Sequence, residues 1–412
     1  MKNKGNKRLE RINLLTILKL KTMRIKSILL AVLIAVGFMA CNNEDVLLVE
    51  GAESTVSLRV VPSSKGAALK AVGDISGDGI LPAGLLAESE INQLEVFIFH
   101  DQAPDGYKSV TGTNVTEVTG VSTHSGLKSI FVVANAGIGA VASKNDLELK
   151  TKDLPNISAG LVMTSEETAV TLAAGQNYFG YAAGQIPTGA EHSVGSPMKI
   201  TRVNARVAII DAQLGDLSTE QLAIFDGLTD VEVAMFNVPK STNLFGAPLA
   251  KNENFLFGEA WPTTQSSYME LADGGAAEGT FKDGGLALPI TSNSAPYYYV
   301  NENNSGVAKQ QMLIVLRAKP TKGGAAVVAD GLYTDSNGFT YYPVWVNGSD
   351  QSYSYAGDNT GDAVIRRNTQ YNIKLLIKGI GNPTIDDVEK AFLDVLVEVE
   401  PWAVVTQSLT WN

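Results

Sequence analysis

The residue with the clearest chemistry in this chain is its single cysteine, Cys41. It follows two basic residues, Arg24 and Lys26, and an apolar run at residues 28–38 that is too short to cross a bilayer. A basic start, a short apolar run and a small residue before a cysteine are typical of a bacterial lipoprotein signal. The sequence therefore predicts that residues 1–40 are a leader and signal peptide, and that acyl chains on Cys41 hold the exported protein to a membrane.

Other side chains that commonly do chemistry are scarce. The three histidines, His100, His124 and His192, have no metal-ligand spacing to one another or to the cysteine. No Gly-x-Ser-x-Gly motif marks a serine nucleophile. Two carboxylates could converge in a glycosidase site, but the sequence singles out no pair. We therefore expect no enzymatic activity, no metal ion and no cofactor.

Three short motifs have simpler explanations than ligand binding. Gly137-Ile-Gly139 and Gly379-Ile-Gly381 are fragments of a dinucleotide fingerprint, and turn glycines explain them better. Residues 74–79 are similar to the start of a calcium loop. However, Leu85 stands where such a loop needs a bidentate glutamate. A solvated loop is the favoured interpretation.

The charge of the exported chain excludes some partners. Nine of the 32 Lys and Arg and one of the 43 Asp and Glu lie in residues 1–40, which leaves a net charge of −19 for residues 41–412. Such a surface repels nucleic acid. With one cysteine, no disulfide can form within the fold. The length of the exported chain favours two domains.

The elements that must position these side chains are mostly strands, because apolar residues recur with a period of two. The clearest alternation places Tyr371, Ile373, Leu375 and Ile377 on one face and Asn372, Lys374 and Lys378 on the other. The best helix candidate is residues 217–225, with Ser218 as N-cap. The fold class is therefore all-β, of the sandwich kind. The predicted strands are residues 91–99, 128–134, 198–210, 231–238, 311–317 and 371–378.

The two ends of the exported chain also read as strands. Residues 55–61 alternate and are followed by a small-residue stretch with lysines, which suits a proteolysed loop. Residues 393–399 alternate up to Pro401, and then Val405, Leu409 and Trp411 share one face of a further strand. A terminal apolar strand is costly to leave unpaired. It either closes its own sheet or pairs elsewhere, and the pattern leaves both open.

Several segments, in order along the chain, resemble one family. The chain is similar to the major fimbrillin of Bacteroidales fimbriae, the stalk subunit of the type V pilus. Matches in this number and order are more specific than any single motif. The matching segments are residues 160–164, 174–181, 198–206, 241–247, 340–347, 367–375 and 402–411.

The resemblance implies two transthyretin-like β-sandwich domains in tandem, at residues 71–197 and 198–412. It also implies export as a lipoprotein to the outer membrane surface, where a trypsin-like protease removes a lipidated propeptide, residues 41–70. Lys70 is the preferred cut site on this chain and Lys65 the second. The propeptide would take with it the first strand and its apolar side chains, Val56, Leu58 and Val60.

A neighbouring subunit's C-terminal strand would then fill the vacated groove, so that copies of the chain form a filament that supports adhesion and biofilm formation. Further implied partners are anchor and tip subunits and the maturation protease. The host or bacterial receptor is not identified by the sequence. The donor residues would be Ala403, Val405, Gln407, Leu409 and Trp411.

Two other classes of function stay open from the sequence. A fimbrial tip adhesin or surface glycan-binding lipoprotein would use exposed aromatics such as Tyr297–Tyr299 or Tyr341–Tyr342 to stack on sugars. Such aromatics are more often core residues or cross-strand pairs. A surface glycosidase would need a carboxylate pair in a cleft. The stalk subunit is favoured over both.

Overall fold

Strands dominate the fold, which confirms the all-β class. The computed structural model describes residues 51–62, 88–154, 160–247, 255, 282–291, 295–304, 310–347, 353–356, 361–385 and 393–401, and these belong to one compact unit.

Two short helices, α1 (Lys144–Glu148) and α2 (Thr219–Ile224), and a 3-10 helix, Ala183–Gln185, lie between strands. Within these residues, no helix is long and apolar enough to span a bilayer. The strands are β1 (Glu53–Pro62), β2 (Gln93–His100), β3 (Ala103–Thr111), β4 (Glu117–His124), β5 (Gly126–Ala134), β6 (Thr151–Asp153), β7 (Met163–Ser165), β8 (Thr168–Leu172), β9 (Gly175–Phe179), β10 (Glu191–Val194), β11 (Met198–Arg202), β12 (Asn204–Leu214), β13 (Gly227–Phe236), β14 (Ser241–Asn243), β15 (Lys282–Leu286), β16 (Tyr297–Asn301), β17 (Leu313–Lys322), β18 (Ala325–Ala326), β19 (Thr340–Trp345), β20 (Tyr353–Ala356), β21 (Thr369–Ile377) and β22 (Leu393–Pro401).

The period-two segments lie on observed strands, as predicted, and the helix candidate is confirmed. The hydroxyl of Ser218 accepts from the backbone N–H of Gln221 at 3.2 Å and caps α2. Asn372, expected on the water-facing side of β21, is instead buried. β21 is an inner strand, flanked by β12 and β22 on its two edges. The predicted apolar face of β21 is buried and consists of Tyr371, Ile373, Leu375 and Ile377.

Strands β1–β5 and β7–β11 form the first sandwich. Their hydrogen-bonded order is β10-β9-β1-β11-β7-β5-β2-β3, with β4 also on β1 and β8 also on β5. β1 changes partners along its length: Glu53–Arg59 pairs with β4, Ser54–Leu58 also with β9, and Val60–Pro62 with β11. Because of this change, β1 contributes to both halves of the sheet that surrounds the first core.

Strands β12, β13 and β15–β22 form the second sandwich. One sheet has the order β16-β12-β21-β22-β20, and the other has β15-β13-β17-β18 with β19 also on β17. Ile209 and Ile373 of one sheet share a buried core with Val233 and Ile314 of the other. Each sandwich therefore has its own apolar core, which is formed by the inward-facing side chains of its alternating strands.

The chain passes from the first sandwich to the second at Val203. Residues 198–210 were predicted as one strand, and this is wrong in one respect, because β11 pairs in the first sandwich and β12 in the second. Between them, the N–H of Val203 donates to the carbonyl of Val162 at 3.0 Å. The passage therefore lies a few residues beyond the domain boundary expected at 197/198.

A buried polar cluster joins the two sandwiches. The carboxylate of Glu88, which precedes β2, is 2.7 Å from a guanidinium nitrogen of Arg206 on β12. It also accepts from the hydroxyl of Tyr299 on β16 at 2.6 Å. Arg202 on β11 donates to the carbonyl of Glu88 at 2.9 Å and to the side chain of Asn368 at 3.2 Å. Buried charges need partners of this kind, so the cluster ties the start of β2 to the second sandwich.

Candidate functional site

The apolar face of β1 is part of the first core. Val56 and Leu58 are completely inaccessible to solvent, and Val60 is 4% exposed. These are the three side chains that the sequence placed on the first strand's apolar face. Burial of such side chains contributes about 1.5–3 kcal/mol each. The residues that share this core come from β2, β4, β5, β7, β8, β9 and β11 and include Leu94, Val96, Ile98, Val118, Val121, Ile130, Val132, Met163, Leu172, Phe179, Met198 and Ile200.

The backbone of β1 is paired on both edges. It runs antiparallel to β4, from Glu53 opposite His124 to Arg59 opposite Glu117. It runs parallel to β9 and, at its last residues, parallel to β11. Without β1, the first sandwich would have an apolar groove with unpaired backbone groups along both sides. Such a groove is a template for another extended chain.

Two serines of β1 are buried and hydrogen-bonded. The hydroxyl of Ser54 donates to the carbonyl of Ala173 at 2.9 Å and accepts from the side-chain amide of Asn177 at 2.9 Å. The hydroxyl of Ser57 accepts from the N–H of Gly120 at 3.0 Å. These contacts satisfy the polar groups that β1 brings into the sheet.

Arg59 lies on the other face of β1 and contacts three side chains. Its Nε is 3.2 Å from a carboxylate oxygen of Glu117, and its Nη1 donates to Gln185 at 2.7 Å. Its guanidinium carbon is 4.2 Å from the centre of the Tyr181 ring, a cation–π geometry. The hydroxyl of Tyr181 donates to Glu117 at 2.7 Å. Burial of Tyr181 and this bond to Glu117 raise the pKa of the phenol well above its ordinary value.

A second charged group lies beside the first half of β1. The buried ammonium of Lys128 is 2.8 Å from a carboxylate oxygen of Asp105, which also accepts from the hydroxyl of Thr123 at 2.6 Å. His124 Nδ1 is 2.6 Å from the other oxygen. Burial alone would raise the pKa of Asp105, but these hydrogen bonds outweigh it and lower the pKa to about 2. Thr123 and His124 pair with β1, so this network supports the strand's partner β4.

At the other end of the described chain, β22 is an inner strand of the second sandwich. It runs antiparallel to β21, from Leu393 opposite Ile377 to Pro401 opposite Thr369, and parallel to β20. Leu393 and Val395 are buried in the second core. Thr369 is the first residue of β21, so the pairing reaches the end of β21 at Pro401.

Several predicted site residues lie outside the described part of the chain. These residues are Cys41, Lys65, Lys70, Ala403, Val405, Gln407, Leu409 and Trp411, and the calcium-like segment 74–79 with Leu85 lies there too. His100 lies at the end of β2 and contacts the carbonyl of Leu127 at 3.3 Å, and His192 lies in β10. Among the side chains that the structure describes, no group of three His, Cys, Asp or Glu has a geometry to hold a metal ion.

The aromatic residues considered for sugar stacking are core residues. Tyr298, Tyr299, Tyr341 and Tyr342 are buried, and Tyr297 is half-buried. Their hydroxyls bond within the protein: Tyr298 donates to the carbonyl of Val233 at 2.9 Å, and Tyr342 to that of Gly379 at 3.2 Å. The interpretation as core residues is thus confirmed for the four buried tyrosines. They present no stacking platform.

Backbone geometry explains the glycines of the two Gly-x-Gly segments. Gly139 has a φ of +76°, the left-handed region that favours glycine, and its N–H donates to Glu95 at 2.8 Å. A Cβ on Gly381 would lie 2.3 Å from the carbonyl oxygen of Tyr341. Close backbone approach, and not nucleotide binding, therefore accounts for Gly381.

Sequence reasoning missed the charged contacts around β1 and at the junction. Glu117, Tyr181 and Asp105 lie far from their partners in the sequence, and no local pattern pairs them. A signal did exist for Arg202 and Arg206. Both interrupt an apolar period-two segment, where an arginine is buried only when it is paired.

Comparisons with known proteins find matches along most of the chain. The family "Major fimbrial subunit protein (FimA)" matches residues 54–202, and the family "FimA4 pilin C-terminal domain" matches residues 223–402. The chain is 30% identical over 404 residues to the major fimbrium subunit FimA type-2 of Porphyromonas gingivalis, with 92% of this chain and 97% of that one covered. The chain belongs to the FimA family of major fimbrial subunits.

Further relatives agree with this assignment. The FimA type-5 major fimbrium subunit of P. gingivalis is 31% identical, with 92% of this chain and 98% of that one covered. The crystal structure of a FimA fimbrilin from P. gingivalis W83 superposes with a TM-score of 0.66 at 26% identity, with 87% of this chain and all of that one covered.

Membership of the FimA family fixes the general role of the chain. It is a structural subunit and not an enzyme, and it belongs to a fimbria on the cell surface. Fimbrial subunits of this family polymerise with copies of themselves and with other fimbrial components. The passage between sandwiches after β11 agrees with the end of the first family match at residue 202.

Proposed function

We propose that this subunit polymerises by exchanging β1 for the C-terminal residues of a neighbouring copy. In this mechanism the propeptide up to Lys65 or Lys70, which contains β1, is removed after export. The groove of the first sandwich then accepts residues 403–411 of the next subunit. Repetition of this head-to-tail contact builds a filament, because the contact does not close on itself.

The acceptor half of the proposal is supported by the position of β1. The strand supplies three buried apolar side chains to the first core and is hydrogen-bonded along both edges. Its removal would therefore leave a site that only another extended, alternating chain can fill well. Main-chain hydrogen bonds would give affinity, and alternate side chains would enter the pockets left by Val56, Leu58 and Val60. This geometry of β1 is the observation that carries the proposal.

The donor half is supported by the pairing of β22. Its antiparallel partner β21 begins at Thr369, which lies opposite Pro401, so the described pairing of the two strands ends there. Proline also lacks the N–H that a ladder needs. Beyond it, Val405, Leu409 and Trp411 are spaced like a strand with one apolar face. The chain thus carries a second strand-like apolar sequence after Pro401.

The protease that starts exchange would have to accept lysine. Lys65 and Lys70 are the only basic residues between β1 and Glu88. Arg59 is the only arginine between Cys41 and Arg202, and it lies inside β1, where its backbone is paired on one side with β4. Proteases cut exposed backbone more readily than paired backbone, so cleavage after Arg59 is disfavoured.

The basic and apolar residues before Cys41 support export as a lipoprotein, with the acyl chains on the propeptide. Cleavage would then break the covalent link between the subunit and the membrane, and departure of β1 with the propeptide would open the groove. The resulting fimbria would serve adhesion and biofilm formation, together with anchor and tip subunits.

Limited proteolysis of a Cys41→Ser precursor tests the mechanism. A lysine-specific protease is expected to produce a new N-terminus after Lys65 or Lys70, read by mass spectrometry, and electron microscopy is expected to show filaments only after the cut. A precursor that lacks residues 403–412 should be cut at the same site and remain monomeric. Filaments formed by this shortened chain, or none formed by the complete cut chain, would contradict the proposal.

A further inference from the structure

The contacts of Arg59 have a consequence for strand exchange, if exchange proceeds as proposed above. Arg59 is the residue of β1 that binds the groove through charge: its guanidinium contacts Glu117, Gln185 and the ring of Tyr181. Of these partners, Glu117 is on β4, Gln185 ends the 3-10 helix and Tyr181 follows β9. Three separate elements of the first sandwich therefore converge on one side chain of the strand that is to leave.

The apolar faces of the two competing strands do not distinguish them strongly. β1 offers Val56, Leu58 and Val60, and the proposed donor offers Val405, Leu409 and Trp411. All are apolar side chains that a core accepts with similar free energies per unit area. The two strands differ more on the face that points away from the core, where β1 has Arg59. Residues 403–412 contain no lysine, arginine or histidine, so the donor brings no cation to Glu117.

Cleavage by itself does not expel β1. While the loop is intact, β1 is tethered to its groove at a high effective concentration. A cut removes the tether but none of the contacts, so the strand then leaves at a rate set by those contacts. Arg59 supplies charge-assisted hydrogen bonds and a cation–π contact, which a donor of this sequence does not replace.

We propose that Arg59 is a retention clamp: held by Glu117, Tyr181 and Gln185, it keeps the cut strand in the groove and makes strand release, and not the cut, the step that paces exchange. The site formed by Glu117, Tyr181 and Gln185 thus recognises a guanidinium on an extended strand. It protects the groove between cleavage and the arrival of a donor.

The release rate of the cut strand tests the clamp without requiring a donor. The cut Cys41→Ser precursor is kept dilute and mixed with an excess of isotopically heavy peptide of residues 51–62. Native mass spectrometry follows replacement of the light propeptide by the heavy one. Arg59→Ala is expected to release its strand about tenfold faster than the unmodified chain, the factor that corresponds to about 1.4 kcal/mol. Glu117→Gln is expected to change the rate in the same direction and provides a second variant.

A matched control is available in the second sandwich. Arg317 pairs with Glu232 and lies 4.1 Å from the centre of the Phe339 ring, so it repeats the contacts of Arg59 away from β1. Arg317→Ala should leave the release rate unchanged. Salt gives an independent readout, because ions screen a partly exposed pair. Raising the salt concentration should speed release from the unmodified chain and have little effect on Arg59→Ala.

Donor peptides with an added arginine extend the test. In residues 402–412, Thr406→Arg, Gln407→Arg or Ser408→Arg should bind the groove more tightly at the position that faces Glu117, and Glu117→Gln should abolish this gain. Equal release rates for Arg59→Ala and the unmodified chain would overturn the clamp. Failure of the unmodified donor peptide to replace β1, with the rates of release still different, would overturn exchange and leave the clamp standing.

Discussion

The first and last strands of the described chain, β1 and β22, have similar places in their sheets but differ in the chain that follows them. Each is paired on both edges, and each buries apolar side chains in the core of its own sandwich. After β1, residues 63–87 precede the next described residue, Glu88. After β22, residues 402–412 follow in the sequence and include Val405, Leu409 and Trp411. The proposed cut would therefore separate β1 from the rest of the chain, whereas β22 is followed by a further apolar sequence.

If strand exchange proceeds as proposed, the filament joint is encoded in two separate parts of the chain. The first sandwich depends on a strand whose partners β4, β9 and β11 all lie far along the chain, so the strand's contacts are tertiary and can be supplied by another molecule. The second sandwich has Leu393 and Val395 of β22 in its core. The following predictions test this asymmetry, from the largest expected effect to the smallest.

Deletion of residues 51–62 should have the largest effect. It removes three buried apolar side chains and the ladder of β1, and we expect the first sandwich to lose its stable fold while the second keeps its own. Hydrogen exchange should show loss of amide protection in β2 and β5 and retained protection in β12 and β21. Deletion of residues 402–412 is the matched control and should leave protection unchanged in both sandwiches. Equal loss in both sandwiches after either deletion would contradict the comparison.

Removal of the Glu88 carboxylate should have the second largest effect, because this carboxylate is a charged partner of the buried Arg206. Glu88→Ala is expected to lower the free energy of unfolding in urea by about 3–5 kcal/mol. The exposed pair of Lys240 and Asp153, 4.0 Å apart, is a matched control outside this cluster. Asp153→Asn should leave the free energy of unfolding nearly unchanged. A small effect of Glu88→Ala would show that the two sandwiches are held together by other contacts.

Leu58→Ala should affect the stability of the precursor and that of the assembled subunit differently. In the precursor it should lower the free energy of unfolding by about 2–5 kcal/mol, since it opens a cavity in the first core. In a filament from which β1 has been cut away, the same substitution should have no effect on denaturant resistance. Leu375→Ala in the second core should weaken both precursor and filament. A filament weakened by Leu58→Ala would show that β1 is still present after assembly.

Acid should affect the first sandwich through Asp105. Its pKa is lowered in the folded state, so its contribution to stability is complete above its ordinary pKa and is lost as the pH falls from about 4 to about 2. Asp105→Asn should flatten the pH dependence of stability in this range, measured by urea denaturation at each pH. Asp362, whose pKa is also lowered, is in the second sandwich and pairs with Arg366. Asp362→Asn should leave the acid response of β4 and β5 unchanged in hydrogen exchange.

The sequence predicted the faces of strands better than their partners. Alternation in β1 and β21 identifies the buried side chains because it is a local property of an extended chain. The choice of β4, β9 and β11 as partners of β1 is a tertiary property, and no local pattern encodes it. The break at Val203 did have a local signal that sequence reasoning missed. The apolar alternation of Met198 and Ile200 shifts by one residue at Val203, where the chain changes sheets. The junction through Glu88 and Arg206 also depends on residues that are distant in sequence.

Replacement of β1 by a donor peptide tests the central claim most directly. The Cys41→Ser precursor is cut with a lysine-specific protease, kept dilute, and mixed with a synthetic peptide of residues 402–412. Native mass spectrometry then weighs the complex. We predict that the propeptide is lost and that one donor peptide is bound per subunit, while a peptide with Leu409→Asp and Trp411→Asp is not bound. Release of the propeptide with no peptide bound, or peptide bound to a subunit that still holds β1, would contradict strand exchange.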